Sequence, residues 1–221
     1  MGVIKYDVDE SHPAFGLAFP CPECGPARRQ KRYQRKMAKV SEYAVTLTPG
    51  RTFEAYKVRD ESTEIALEYA QSFVADPRDW LLLWGGVGTG KTHLMMAIAR
   101  ALQAKPIQDR PVVLLATVPG LLDMLRSGYG NGNYEELNRL CHDVDVLMLD
   151  DLGTERASQW ALERLFEIIN HRYNAQMPTC FTTNVNPGDL EPRIASRIQD
   201  RYLCKQVHLV SSDCRLEERG R

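Results

Sequence analysis

Gly85-Gly86-Val87-Gly88-Thr89-Gly90-Lys91-Thr92 decides the reading of this chain, because it meets the phosphate-cradling pattern G-x-x-x-x-G-K-[ST] at every required position. Before it, Trp80-Leu81-Leu82-Leu83-Trp84 is a short apolar run of the kind that forms a buried parallel strand. After it, His93 to Leu102 carries helical periodicity. Strand, glycine loop and helix in this order are the context such a loop needs. Gly85, Gly88 and Gly90 let the backbone turn its N–H groups inward, and the helix N-terminus adds the positive end of its dipole. All eight residues are expected to line a polyphosphate. Lys91 is expected to reach the β and γ phosphates, and the Thr92 hydroxyl to take a place on Mg²⁺.

A chain of 221 residues holds one good-sized domain plus an appendage. Its composition, 43% hydrophobic and 26% charged, is that of a soluble globular protein, and no apolar run approaches the ~20 residues of a spanning helix, so no membrane partner is expected. Six cysteines without a dense framework suit free thiols and a cytoplasmic location. A net charge of -1 leaves any nucleic-acid footprint to be local.

Residues 1–50 differ from the rest. Pro13, Pro20, Pro22, Pro26 and Pro49 punctuate them and no long apolar period develops, so they read as an appendage before a core spanning 51–221. Cys21-Pro22-Glu23-Cys24 has the spacing of a zinc knuckle and makes Cys21 and Cys24 candidate Zn²⁺ ligands. They form half of a four-ligand site with only His12 nearby, and a reduced pair on a turn is the competing reading. Arg28, Arg29, Lys31, Arg32, Arg35, Lys36 and Lys39 then cluster around Tyr33 with no acid among them. Full phosphate neutralisation by this patch would give DNA binding a salt slope of about -6, while a solvated basic helix, or a surface for an acidic protein, is the alternative. Ile65, Ala66, Tyr69, Phe73 and Val74 predict an amphipathic helix that stops at Asp76-Pro77. Phe53 and Tyr56, just before it, are read as core packing, with stacking near an adenine as the alternative.

Beyond the loop, Pro111 to Ala116 is a second strand, with Thr117 a cap and Pro119 in the first turn of the following helix. Ser127-Gly128-Tyr129-Gly130-Asn131-Gly132-Asn133 opposes regular structure and is expected to be a mobile loop, whose Tyr129 is a candidate for stacking on a base. Val144 to Asp151 is a hydrophobic strand ending in two carboxylates. Asp150 is expected in the Mg²⁺ shell, and Asp151 is expected to orient and deprotonate the attacking water, which favours ATP hydrolysis over phosphoryl transfer to a metabolite. Trp160, Leu165, Phe166, Ile169 and Tyr173 form a helix face, and Met177 to Asn184 a fourth strand whose terminal Asn184 is placed to hold the lytic water or to serve as a plain turn residue. Arg193, Arg197 and Arg201 recur every four residues and are expected on one helical face. Stacked cations of this kind suit a neighbouring subunit's ATP, or, alternatively, surface acids. Gln206 to Val210 is a fifth strand.

Taken together, GGVGTGKTHL at Gly85–Leu94, LMLDDLGTE at Leu147–Glu155, FTTN at Phe181–Asn184 and RIASRI at Arg193–Ile198 resemble the AAA+ ATPases, specifically helicase loaders of the DnaC/DnaI type, with the IstB transposition helpers as close relatives. The resemblance covers roughly Arg51 to Leu216. It implies an α/β P-loop NTPase fold, a three-layer sandwich with a five-stranded parallel sheet in the order 5-1-4-3-2, here without a full helical lid. It further implies Asn184 as sensor 1, Arg197 as an arginine finger and Arg215 as the sensor 2 arginine binding the nucleotide. ATP and Mg²⁺ are the implied cofactors. Single-stranded DNA, a replicative helicase and an ATP-dependent homo-oligomer are the implied partners. An IstB-like transposition helper on duplex DNA, and a nucleotide-switched binding module with little turnover, are the alternatives.

Overall fold

The structure is a computed structural model that describes residues 3–5, 18–20, 25–154 and 158–211. Cys21, Cys24 and Arg215 lie outside the described residues. In chain order the elements are β1 (Val3–Lys5), β2 (Ala18–Pro20), α1 (Gly25–Ser41), α2 (Glu61–Ala75), β3 (Trp80–Gly85), α3 (Lys91–Ala104), β4 (Val113–Thr117), α4 (Val118–Asn131), α5 (Tyr134–Asp143), β5 (Val146–Leu152), α6 (Gln159–Asn174), β6 (Thr179–Thr183), a short 3-10 turn at Pro187–Asp189, α7 (Pro192–Ile198) and β7 (Cys204–Leu209).

β3 to β7 form one sheet in the order β4-β5-β6-β3-β7, every pairing parallel, while β1 and β2 pair separately as a small antiparallel hairpin. With the five long strands numbered along the chain, this is the expected 5-1-4-3-2 order read from the other edge. Parallel strands are covered on both faces, so they read as unbroken apolar runs. Leu81, Leu82 and Leu83 are all buried, Leu82 facing one core and its two neighbours the other. Each such side chain contributes about 1.5–3 kcal/mol of burial. The layer on the Leu82 side is made by α4, α5, α6 and α7; the layer on the Leu81 side is made by α2 and α3.

Local sequence explains the helix starts. Thr117 caps α4 by accepting from the Gly120 N–H at 3.2 Å, with Pro119 in the first turn, as the sequence predicts. Asp60 and Thr63 close a reciprocal capping box at the start of α2.

Three expectations are corrected. Ser127 to Asn131 is helix rather than loop: α4 continues to Asn131 and turns only at Gly132, where φ is +80°. Packing overrides propensity here, because a Cβ on Gly128 would lie 2.8 Å from the Tyr134 backbone N, so the absent side chain is what lets α5 start against α4. The stretch from α1 to residue 50 is not set apart from the core. Val40 is fully buried within it, Tyr33 and Met37 pack on it, and the Val45 N–H donates to the Leu115 carbonyl at 2.8 Å. Finally, α7 ends at Ile198, so Arg201 falls in the following turn and does not share the face of Arg193 and Arg197.

Candidate nucleotide site

The C-terminal ends of β3, β5 and β6 meet at a cleft of about 540 Å³. Its walls include Val87 to His93 from the loop and α3, Asp151 and Asn184 from the strand ends, and Thr48 to Arg51, Ala55 to Lys57 and Arg59 from the segment joining α1 to α2. The loop geometry follows from its glycines at two points. Gly85 has φ +141°, and a Cβ there would sit 2.1 Å from the Leu209 carbonyl oxygen, so only glycine lets β3 and β7 close at the foot of the loop. Gly90 has φ +98° at the N-cap of α3, and a Cβ there would meet the Tyr56 ring at 2.9 Å.

Lys91 is buried, and its ammonium donates to the carbonyls of Gly85 at 2.8 Å and Gly86 at 2.6 Å and to the Thr89 hydroxyl at 3.3 Å. The lysine charge is thus held across the loop beside the first turn of α3, where backbone N–H groups and the helix dipole also favour an anion.

Asp150 stands on β5, two sheet positions from the strand that leads into the loop. Its Oδ1 accepts from the Thr92 hydroxyl at 3.1 Å and from the Thr182 hydroxyl. Burial pushes the Asp150 carboxyl above its ordinary value, and the Thr182 hydrogen bond pulls it back. The Thr92 hydroxyl and the Asp150 carboxylate are hard oxygen donors brought together beside the phosphate loop, a donor set that fits Mg²⁺. These two residues would hold the ion, and a bound Mg²⁺ would supply charge neutralisation for the phosphates.

Asp151 would ordinarily point away from Asp150, since neighbours on a strand face opposite sides. A break in register between Leu149 and Leu152, with Asp151 at φ +60°, turns it to the cleft instead. The Asp151 N–H donates to the Thr182 hydroxyl at 2.9 Å, so one threonine holds both carboxylates in place. Non-glycine residues in this left-handed region are uncommon and gather at functional sites. Thr182 is the member that sequence reasoning missed; its place two residues before Asn184, on the strand beside β5, is the signal that marks it. Asn184 is exposed at the end of β6 and lines the same cleft.

The arginines lie elsewhere. Neither Arg193, Arg197 nor Arg201 lines the cleft of its own chain. Arg197 donates through Nε and Nη2 to the Asn170 side-chain oxygen at 3.3 and 3.1 Å and lies over the Phe166 and Tyr173 rings. Arg193 pairs with Glu191 and also covers Phe166. Arg201 borders a separate surface cleft with Trp84 and Lys205.

A second constellation sits where α4, α5 and α6 meet. Tyr129, 56% exposed, stacks on Tyr134 with centroids 4.1 Å apart and meets Trp160 edge-on, while the Arg126 guanidinium lies 5.0 Å above the Trp160 ring. Arg164 donates to the Tyr134 hydroxyl at 3.1 Å. Tyr134 and Trp160 are half-buried, so the cluster is a partly exposed aromatic surface interleaved with arginines. Along α1, Arg28, Arg29, Lys31, Arg32 and Arg35 are exposed, and Lys39 is paired with Glu136. Among the described residues no group of His, Cys, Asp and Glu could hold a metal ion by itself, and no helix is long and apolar enough to cross a membrane.

A phosphate loop on an inner strand, a strand-ending carboxylate pair two positions away, and a polar strand end between them define a P-loop nucleotide-binding fold of the AAA+ class. It is that of the DnaC helicase loader, whose crystal structure matches with a TM-score of 0.63 and 26% identity over 72% of this chain and 96% of that one. Within that class the chain belongs to the family of IstB-like ATP binding proteins, whose model matches residues 26–216. It is similar to the replicative helicase loader DnaI of Bacillus subtilis (strain 168), 27% identical over 78% of this chain and 56% of that protein. It is also similar to the replicative helicase loader DnaC of Escherichia coli (strain K12), 30% identical over 68% of this chain and 62% of that protein. The chain therefore matches little more than half the length of these curated relatives.

Proposed function

We propose that this protein hydrolyses ATP to drive the placement of a replicative helicase on single-stranded DNA. The observation that carries the reading is the convergence of Lys91, Thr92, Asp151 and Asn184 on one cleft, with Asp150 bonded to Thr92 at its floor. In this reading the loop N–H groups and Lys91 take the phosphates, and Thr92 and Asp150 hold Mg²⁺. Asp151 takes the proton of the attacking water, and Asn184 positions that water against the γ-phosphate. Arg197, held on α6 and away from its own cleft, is complete as a catalytic group only when it enters a neighbour's site, so turnover requires a homo-oligomer. The Tyr129, Tyr134 and Trp160 cluster with Arg126 supports the single-stranded DNA part, and the basic face of α1 adds phosphate attraction. The names of the relatives favour helicase loading over transposition.

The test couples three measurements. Wild type should hydrolyse ATP, bind a fluorescent oligo-dT with ATP present, and raise loading of the cognate hexameric helicase on bubble DNA. Lys91→Ala should lose the first and third. Tyr129→Ala with Trp160→Ala should weaken oligo-dT by about tenfold or more while sparing ATP binding, since a base stacked on an aromatic ring is worth ~1–3 kcal/mol. Loading that is identical for wild type and Lys91→Ala would sink the reading. Filament formation on duplex but not single-stranded DNA would replace the partner.

A further inference from the structure

His93 follows the phosphate loop directly and has no part in the chemistry set out above, yet both of its ring nitrogens are committed. One, Nε2, lies 2.8 Å from the Thr52 carbonyl oxygen; the other, Nδ1, lies 3.1 Å from an Arg51 guanidinium nitrogen. A carbonyl only accepts and a guanidinium only donates, so the ring is held as the neutral tautomer with its proton on Nε2. Its edge also meets the Tyr56 ring, centroids 5.3 Å apart, the same ring that a Cβ on Gly90 at the head of α3 would meet.

These contacts tie a strap to the helix. Residues 48 to 59 are bonded to α3, and Thr48 to Arg51, Ala55 to Lys57 and Arg59 among them line the cleft. At its start the strap is gripped by Arg100, whose Nη2 donates to the carbonyls of Leu47 at 3.1 Å and Thr48 at 2.8 Å. Past Thr48 the backbone turns through Gly50, at φ +77°, and the next anchor on α3 is His93. The phosphate end of the cleft is fixed by Lys91 and Thr92, so the strap faces the part of the ligand beyond the phosphates.

We propose that His93 is a positioning residue: through Arg51 and Thr52 it holds the strap closed on the nucleoside part of the nucleotide, and leaves the phosphates to the loop. The proposal rests on the ATP-binding reading above. It separates two halves of ligand recognition that share one helix turn, since Lys91 and Thr92 face the phosphates while the next residue governs the opposite wall.

The experiment compares ATP with inorganic triphosphate, each with Mg²⁺, by titration calorimetry on the full chain, alongside steady-state hydrolysis. His93→Ala should weaken ATP by about tenfold or more, through the loss of the two hydrogen bonds that fix the strap, while triphosphate affinity stays within about twofold. KM for ATP should rise with kcat at saturation unchanged. Arg51→Ala should weaken ATP in the same way, and the double variant should add little to His93→Ala alone, because both act through one contact. His93→Gln, whose amide can still donate to the Thr52 carbonyl, should recover part of the affinity. The same gradation between Gln and Ala keeps the test decisive should the Ala variant fold poorly. Equal loss of ATP and triphosphate would show His93 acting on the loop, and unchanged ATP affinity in both variants would show no role; either overturns the proposal. A wild type that binds neither compound would instead refute the ATP site itself.

Discussion

Thr182→Val isolates the contribution of one hydroxyl to the geometry of both carboxylates. Valine has nearly the shape of threonine, so no cavity forms, and what is lost is polar. The Asp150 carboxylate loses one of its two hydroxyl donors and keeps only Thr92. The Asp151 N–H, bonded to Thr182 at 2.9 Å, loses its acceptor, and an orphaned buried donor costs about 1–3 kcal/mol. That bond also helps hold Asp151 at φ +60°, a conformation that costs a non-glycine residue about 1–2 kcal/mol. Two outcomes compete on these magnitudes. Either the strand end keeps its shape and the fold loses about 2 kcal/mol, or Asp151 relaxes to an ordinary strand conformation and swings from the cleft. Misplacement of a catalytic group by about 1 Å costs on the order of 100-fold in rate. The expected result is therefore either a lower urea midpoint with an unchanged m-value and a near-wild-type kcat, or a kcat for ATP reduced by about 100-fold with KM changed only a few-fold. Thr182→Ser should restore whichever is lost. A Thr182→Val protein with wild-type kcat and a stability within about 0.5 kcal/mol of wild type would refute the argument that this hydroxyl organises the pair.

Arg172 is fully buried and donates to the carbonyls of Cys141, His142, Val144 and Pro178 and to the Thr179 hydroxyl, so Arg172→Met should cost about 3–5 kcal/mol in chemical denaturation by stranding those acceptors. Gly90→Ala should lower ATP affinity about tenfold in a calorimetric titration, because the new methyl meets the Tyr56 ring in a backbone conformation at φ +98°; Tyr56→Ala combined with it should recover only the part due to contact.

Much of the sheet was legible because parallel strands buried on both faces carry their signature locally. Leu81 to Leu83, Leu147 to Leu149 and Cys180 to Thr182 are unbroken buried runs, and turn residues bound them. The loop and the carboxylate pair were legible for a related reason: binding phosphate through backbone N–H groups demands glycines at fixed spacing, and a metal needs an acid at a strand end. What the sequence concealed depends on contacts distant in the chain. The glycines around Tyr129 read as a loop, although Gly128 serves a close approach between two helices that no local window contains. The four-residue spacing of the arginines was real through Arg197, but Asp200 accepts from the Tyr173 hydroxyl and the Tyr202 N–H, and the chain turns before Arg201 can join the helix. The turn of Asp151 into the cleft arises from a register break in β5, which the composition of Asp150-Asp151 does not reveal. The strap was half legible, since Phe53 and Tyr56 were read as packing residues; the anchors on His93 and Arg100 needed coordinates.

The setting of Arg197 has a consequence for assembly. A neutral amide oxygen and two aromatic faces fix the direction of its guanidinium, and among the described residues no carboxylate comes within ion-pair reach of it. Orientation is thus settled before any encounter, and the charge is left uncancelled. An approaching triphosphate need not break an ion pair or freeze a long side chain, so most of its attraction to this group goes into joining the two subunits. On the proposed reading, the surface around Asn170 and Phe166 would sense whether the neighbour is loaded, and the strength of the oligomer should follow the nucleotide rather than the protein concentration alone.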